Sequence, residues 1–145
     1  MATTECIFCD MKNIDAQGIL FQDDKCMVIL DKFPISKGHL LIIPKKHYEN
    51  MLETPDWVID DMFEIAKIAA IMLTKKLEAS GVNVTTNIGK TAGQYVMHFH
   101  VHVIPRYEKV ENPHDVKFDH NHEINNALRE ELTRLLKIRD KSVPE

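Results

Sequence analysis

His98–Arg106 reads HFHVHVIPR, with imidazoles at positions i, i+2 and i+4. Side chains of a strand alternate between its faces, so His98, His100 and His102 point the same way if this stretch is extended. The opposite register, Met97, Phe99, Val101 and Val103, is wholly apolar and is predicted to face a core. Val96 and Ile104 accompany the histidines on the other face. A single histidine in such a position is usually a packed or solvated residue. Three in strict alternation are costly to bury unpaired and call for a chemical role, with metal binding as a competing explanation. Positions i and i+4 of a strand lie roughly 13 Å apart, which counts against one metal shared by all three.

The surrounding chain supplies partners for this strand. Residues 18–22 and 26–31 read as two strands around the turn Asp23-Asp24-Lys25, and His39–Pro44 as a third that Pro44 ends. Residues 56–79 carry Val58, Met62, Ile65, Ala69, Met72 and Leu73 at helical spacing, with Pro55 at the start and Gly81 past the end. Residues 82–88 read as a fourth strand and Tyr95–Ile104 as a fifth, stopped by Pro105. A last amphipathic helix is predicted over about residues 122–138, with Ile124, Leu128, Leu132, Leu135 and Leu136 on one face. Short connections between consecutive strands favour an α+β fold: a five-stranded antiparallel sheet with one central helix and a C-terminal helix.

The chain has 145 residues, the size of one domain, with 44% hydrophobic and 28% charged residues. A net charge of −4 argues against a dedicated nucleic-acid binder, yet leaves room for a local anion site. No stretch approaches the roughly 20 apolar residues of a membrane span, and MATTECIFCD lacks a signal-peptide pattern. The expectation is a cytoplasmic protein with reduced cysteines.

Just before the histidines stands NIGKTAGQYVM, a glycine-containing loop whose backbone N–H groups could cradle a phosphate, with Asn87 and Gln94 as nearby amide donors. HFHVHVI resembles the signature of the histidine-triad (HIT) superfamily. The stretches CIFC, CMVILDKFPISKGHLLIIPKKH and NIGKTAGQYVMHFHVHVIPR are similar to members of that family in order and spacing. The resemblance covers about residues 5–107 of a single domain spanning 1–145. Residues 108–145 form a C-terminal extension with a helix, to which the resemblance does not extend.

The resemblance implies a nucleotide hydrolase or transferase acting at the α-phosphate. His100 would be the nucleophile, forming a nucleotidyl-histidine. His102 would contact the phosphate oxygens, helped by Asn87 and the backbone of Gly93, Gln94 and Tyr95. No catalytic magnesium is expected. Asp31 would bond the ribose hydroxyls; read locally, it is a strand-end turn residue. Ile7, Phe8, Ile29 and Leu41 match positions that surround a purine base, and His39 matches a histidine supporting the triad. Some relatives carry Ser or Thr where this chain has Tyr95, which bears on leaving-group preference. The CxxC points to the Hint-like, phosphoramidase side, whereas AGQ and IPR are shared with the fragile-histidine-triad side, which splits dinucleoside polyphosphates. Relatives are homodimers.

Cys6 and Cys9, read alone, could be a redox pair, core cysteines or half a metal site. With the resemblance, structural zinc on Cys6, Cys9, His47 and His98 is implied. Cys26 reads as core. His114, His120 and His122 read as solvated surface, and Lys45 and Lys46 as a solvated turn. Two other functions remain open: a zinc enzyme using His98, His100 and His102 together, and a nucleotide-binding interaction module with little turnover.

Overall fold

A computed structural model describes residues 6–10, 16–109 and 122–141. Five strands form one sheet: β1 (Ile19–Gln22), β2 (Cys26–Leu30), β3 (Leu40–Pro44), β4 (Gly81–Thr85) and β5 (Val101–Arg106). Their spatial order is β1-β2-β3-β5-β4, and every neighbouring pair is antiparallel. Two helices, α1 (Asp56–Leu77) and α2 (His122–Lys141), complete the α+β architecture. His114 and His120 lie outside the described residues.

The apolar register of the sequence builds the main core. Val28, Leu40, Ile42, Phe99, Val101 and Val103 on the sheet meet Met62, Ile65, Ala69, Met72 and Leu73 of α1 and Leu128, Leu132 and Leu136 of α2. The methionines of α1 at positions 62 and 72 are fully buried in it, while Trp57 and Ile71 of the same helix are exposed. Each fully buried large side chain contributes roughly 1.5–3 kcal/mol, so this layer carries most of the fold's stability. The opposite face of β2 and β3 holds a second cluster of Met27, Ile29, Leu41 and Ile43, covered in part by Phe8. Both strands are therefore buried on both faces, which explains their unbroken apolar runs.

Several boundaries differ from the sequence reading. The fifth strand begins at Val101, six residues later than Tyr95. The residues before it find other partners: Phe99 N–H donates to the Tyr48 carbonyl (2.7 Å) and the Thr86 hydroxyl donates to the His100 carbonyl (2.7 Å). Pro105 lies inside β5. The ladder with β3 ends at Leu40 opposite Val103, so the missing proline N–H breaks no bond on that side. Helix α1 stops at Glu78, which adopts φ 58, and Gly81 opens β4. Helix α2 runs three residues beyond the predicted end, to Lys141.

Gly38 fixes the bridge from β2 to β3. Its φ is +93, and a Cβ there would lie 2.6 Å from Leu77 Cδ1. The bridge carries Asp31 at its start and His39 at its end, so this close approach sets where both acids and imidazoles stand.

Candidate active site

The second face of the sheet opens into a cleft of about 520 Å³. Phe8, Ile29 and Leu41 give it an apolar floor, and Ile7, Val96 and Gly18 extend that surface. Asp31, His39, His100 and His102 supply the polar side chains, while Lys32, Phe33, Ile35, Gly93 and Tyr95 stand around the opening. Phe33 is 85% exposed and Tyr95 is 92% exposed, so aromatic groups at the rim face solvent.

Backbone carbonyls and amides fix the tautomer of each imidazole, because each such group can play only one role. His98 Nε2 lies 2.8 Å from the Pro44 carbonyl, so it carries the hydrogen and Nδ1 keeps its lone pair. His100 Nδ1 lies 2.7 Å from the His98 carbonyl, so Nδ1 carries the hydrogen and Nε2 keeps its lone pair. His39 Nδ1 accepts the Ile35 N–H at 3.0 Å, which leaves the hydrogen on Nε2. That N–H faces His102 Nδ1 at 3.0 Å, so His102 Nδ1 must be the acceptor and its Nε2–H is left as a donor. Neighbouring rings of the triad thus present opposite functions: a lone pair from His100 and a hydrogen from His102, with ring centroids 5.0 Å apart.

Burial keeps these rings neutral. It lowers the His100 pKa below the ordinary histidine value, opposed by the bond to the His98 carbonyl and by Asp31. It lowers His102 to about 4, with His100 and His39 adding to the shift, and His98 to about 4. It also lowers His39, against the attraction of Asp31. A neutral imidazole keeps the lone pair that a protonated one loses, so each ring retains a donor and an acceptor nitrogen near neutral pH.

Asp31 ends β2. Its Oδ1 accepts the Phe33 N–H (2.9 Å) and its Oδ2 stands 3.3 Å from His39 Nε2. The loop before the triad is tied by Gln94, whose side chain is 1% exposed. Gln94 Oε1 accepts the Gly89 N–H, and its Nε2 donates to the Glu49 and Val96 carbonyls. That amide therefore shapes the loop from inside and does not face the cleft. Asn87 spends one N–H on the Gly93 carbonyl (3.2 Å), beside the cleft wall at Gly93. The lining residues that sequence reading missed are Gly18, Leu30, Lys32, Phe33 and Ile35. Lys32, Phe33 and Ile35 have a local signal in the turn-rich stretch DKFPI that Asp31 opens; Gly18 and Leu30 have none.

Cys6, Cys9, His47 and His98 converge beside His100, whose Nδ1 bonds the His98 carbonyl. Cys9 Sγ is 3.2 Å from His47 Nδ1, Cys6 Sγ is 3.3 Å from His98 Nδ1, and the two Nδ1 atoms are 3.1 Å apart. All four ligand atoms lie within 4.8 Å of one another. A tetrahedron with Zn–N of about 2.0 Å and Zn–S of about 2.3 Å has edges of roughly 3.3–3.8 Å, so the set fits zinc after small adjustments. His98 offers the required lone pair, and its Nε2–H bond to Pro44 orients the ring as an outer partner of a metal ligand should. Without a metal, burial and Cys6 push the Cys9 thiol up to about 11. Asp31, His39 and His102 form a second tight group, but His39 Nε2 bears a hydrogen there and cannot ligate as a neutral imidazole. The three triad histidines share no focus: His98 belongs to one group, His102 to the other and His100 to neither.

A family model described as the HIT domain matches residues 12–109. The chain belongs to the HIT domain family. It superposes on a hypothetical histidine triad nucleotide-binding protein from Sulfolobus tokodaii with a TM-score of 0.80 and 32% identity, covering 96% of this chain and 100% of that one. A Zn-bound histidine triad family protein from Mycobacterium smegmatis gives a TM-score of 0.80 at 30% identity, over 94% and 99% of the two chains. Adenylylsulfatase HINT3 from Arabidopsis thaliana is 38% identical over 106 residues, 72% of this chain and 54% of the plant protein. Among the described residues no helix is long and apolar enough to cross a membrane.

Proposed function

We propose that this HIT protein is a nucleotide hydrolase or transferase that cleaves at the α-phosphate of a purine nucleoside phosphoramidate or a dinucleoside polyphosphate. The observation that carries the reading is the pairing of a His100 Nε2 lone pair with a His102 Nε2–H in one cleft. The related adenylylsulfatase and the nucleotide-binding neighbour support it.

In this reading the base lies on Phe8, Ile29 and Leu41, and the ribose hydroxyls donate to Asp31. His100 Nε2 attacks phosphorus in line; a P–N bond forms as the bond to the leaving group breaks. A departing amine takes up a proton, whereas a departing phosphate leaves as an anion. Negative charge on the equatorial oxygens is met by His102 Nε2–H, by Asn87 and by backbone N–H groups near Gly93 and Tyr95. Water then attacks the same phosphorus and gives up a proton to solvent as the P–N bond breaks, and His100 departs with its lone pair restored. Two inversions give net retention. Tyr95, at the solvent-facing rim, stands where the leaving group would depart and bears on leaving-group preference.

Structural zinc on Cys6, Cys9, His47 and His98 belongs to the same proposal, as do a homodimer and a cytoplasmic location. Zinc would supply rigidity next to the nucleophile, since His98 gives Nδ1 to the cluster and its carbonyl to His100.

The test is turnover of adenosine 5′-phosphoramidate and diadenosine polyphosphates, with and without chelator, beside His100→Ala. Turnover that needs no added metal and disappears in the variant supports the reading. Full activity in His100→Ala contradicts it, and the ratio of the two rates assigns the branch.

A further inference from the structure

Helix α2 lies in the C-terminal extension, yet it reaches the wall of the cleft. Arg129 directs its guanidinium at the start of β1: Nε donates to the Ile19 carbonyl (3.1 Å) and Nη2 to the Gln17 carbonyl (3.2 Å). Asn125, only 4% exposed, adds a longer bond to the same Gln17 carbonyl (3.4 Å). The third Arg129 contact, Nη1 to Asn126 Oδ1 (2.6 Å), holds the guanidinium in plane. The two carbonyls flank Gly18, which is buried and forms part of the cleft wall. Ile19 is paired with Ile29 of the cleft floor.

β1 is an edge strand, so no further strand fixes the side that Arg129 occupies. Glycine offers no side chain, so the position of this part of the wall is the position of its backbone. A planar guanidinium that takes two carbonyls at once fixes both distance and tilt, which a single bond does not. The helix that carries it is itself anchored, because Leu128 and Leu132 on either side of Arg129 are buried in the main core.

We propose that Arg129 is a positioning residue for nucleobase recognition: from outside the cleft it sets the Gly18 wall against which the base is fitted. The inference rests on the nucleotide-hydrolase reading above. It gives the C-terminal helix a part in substrate selection. The phosphate end, built by the triad and the loop around Gly93, is held by different elements and does not depend on this clamp.

The test compares two substrates in wild type, Arg129→Met and Asn126→Ala. One is adenosine 5′-phosphoramidate; the other is a ribose 5′-phosphoramidate lacking the base. Moving a pocket wall by about the width of a methylene costs roughly tenfold in discrimination. Arg129→Met is therefore expected to raise KM for the nucleoside substrate about tenfold, with kcat within about twofold, and to leave kcat/KM for the baseless substrate unchanged. Asn126→Ala, an exposed change that keeps the guanidinium, is expected to act in the same direction by a smaller factor. If Arg129→Met does not fold, the Asn126→Ala ratio alone decides. Equal losses on both substrates, or no change in KM for the nucleoside substrate, overturn the inference while the hydrolase reading stands. A wild-type protein that turns over neither compound nor a diadenosine polyphosphate overturns both.

Discussion

His39 is 2% exposed and holds three partners at once: the Ile35 N–H, His102 Nδ1 and Asp31 Oδ2. Replacing it with phenylalanine keeps an aromatic ring but removes every polar contact. Two of the abandoned groups, the Ile35 N–H and His102 Nδ1, are left without a partner, at about 1–3 kcal/mol each if they stay buried. A folding loss of about 2–6 kcal/mol is expected, read by urea unfolding. The larger consequence is chemical. Nothing then forbids a hydrogen on His102 Nδ1, and the tautomer with a lone pair on Nε2 becomes available. That ring no longer donates to the phosphate oxygens. Losing one donor to developing negative charge costs about 10²–10³ in kcat, or roughly 2.7–4 kcal/mol. The assay is steady-state hydrolysis of adenosine 5′-phosphoramidate by folded His39→Phe, with nitrogen NMR of the His102 tautomer. His39→Gln can accept and donate at similar places, so an intermediate rate is expected. A folded His39→Phe with kcat within threefold of wild type, or with the hydrogen still on His102 Nε2, refutes the argument.

Three further outcomes are expected. Metal analysis should find one zinc per chain, and chelation should lower stability by about 4 kcal/mol where free zinc had exceeded its Kd a thousandfold; substoichiometric zinc with unchanged unfolding contradicts the site. His102 has a folded pKa of about 4, below the unfolded value of about 6.5, with His100 and His39 facing it and Asp31 opposing the shift. The unfolded chain therefore binds the proton more readily between those values. The penalty is absent above pH 6.5 and grows as pH falls toward 4, by less than the roughly 1.4 kcal/mol per unit of a fully shielded group, because this ring is partly screened by solvent. Unfolding of wild type and His102→Gln from pH 7 to 4.5 should show that difference in slope, and equal slopes count against it. Gly38→Ala puts a Cβ at φ +93 and 2.6 Å from the end of the Leu77 side chain, which can shift, so a loss of about 1–3 kcal/mol by urea unfolding, mostly backbone strain, is expected, and one below about 0.5 kcal/mol contradicts the argument.

The alternation in HFHVHV was enough to separate an apolar register from a histidine-bearing one: Phe99, Val101 and Val103 are buried in the main core, whereas Met97, expected beside them, is only half-buried and His98 is fully buried. The five strands and two helices were legible because their apolar periods are local properties of the chain. The start of β5 was not, since Phe99 is claimed by the Tyr48 carbonyl and the His100 carbonyl by Thr86, both distant in sequence. The tautomers were equally invisible: they depend on the Pro44 and His98 carbonyls and the Ile35 N–H, and no spacing rule places those groups. Gln94 could be read as an amide near the loop, but not as one spent entirely inside it. Glu78 could not be read as a helix stop, because its left-handed backbone follows from the need to turn directly into β4.

The covalent step is tested most directly by rapid acid-free quench of the protein with adenosine 5′-phosphoramidate, followed by peptide mass spectrometry. The account expects a transient adduct of one nucleoside monophosphate on His100 Nε2, absent in His100→Ala and longer-lived when water attack is slowed. Turnover without any adduct on His100, or an adduct mapped to another residue, contradicts it.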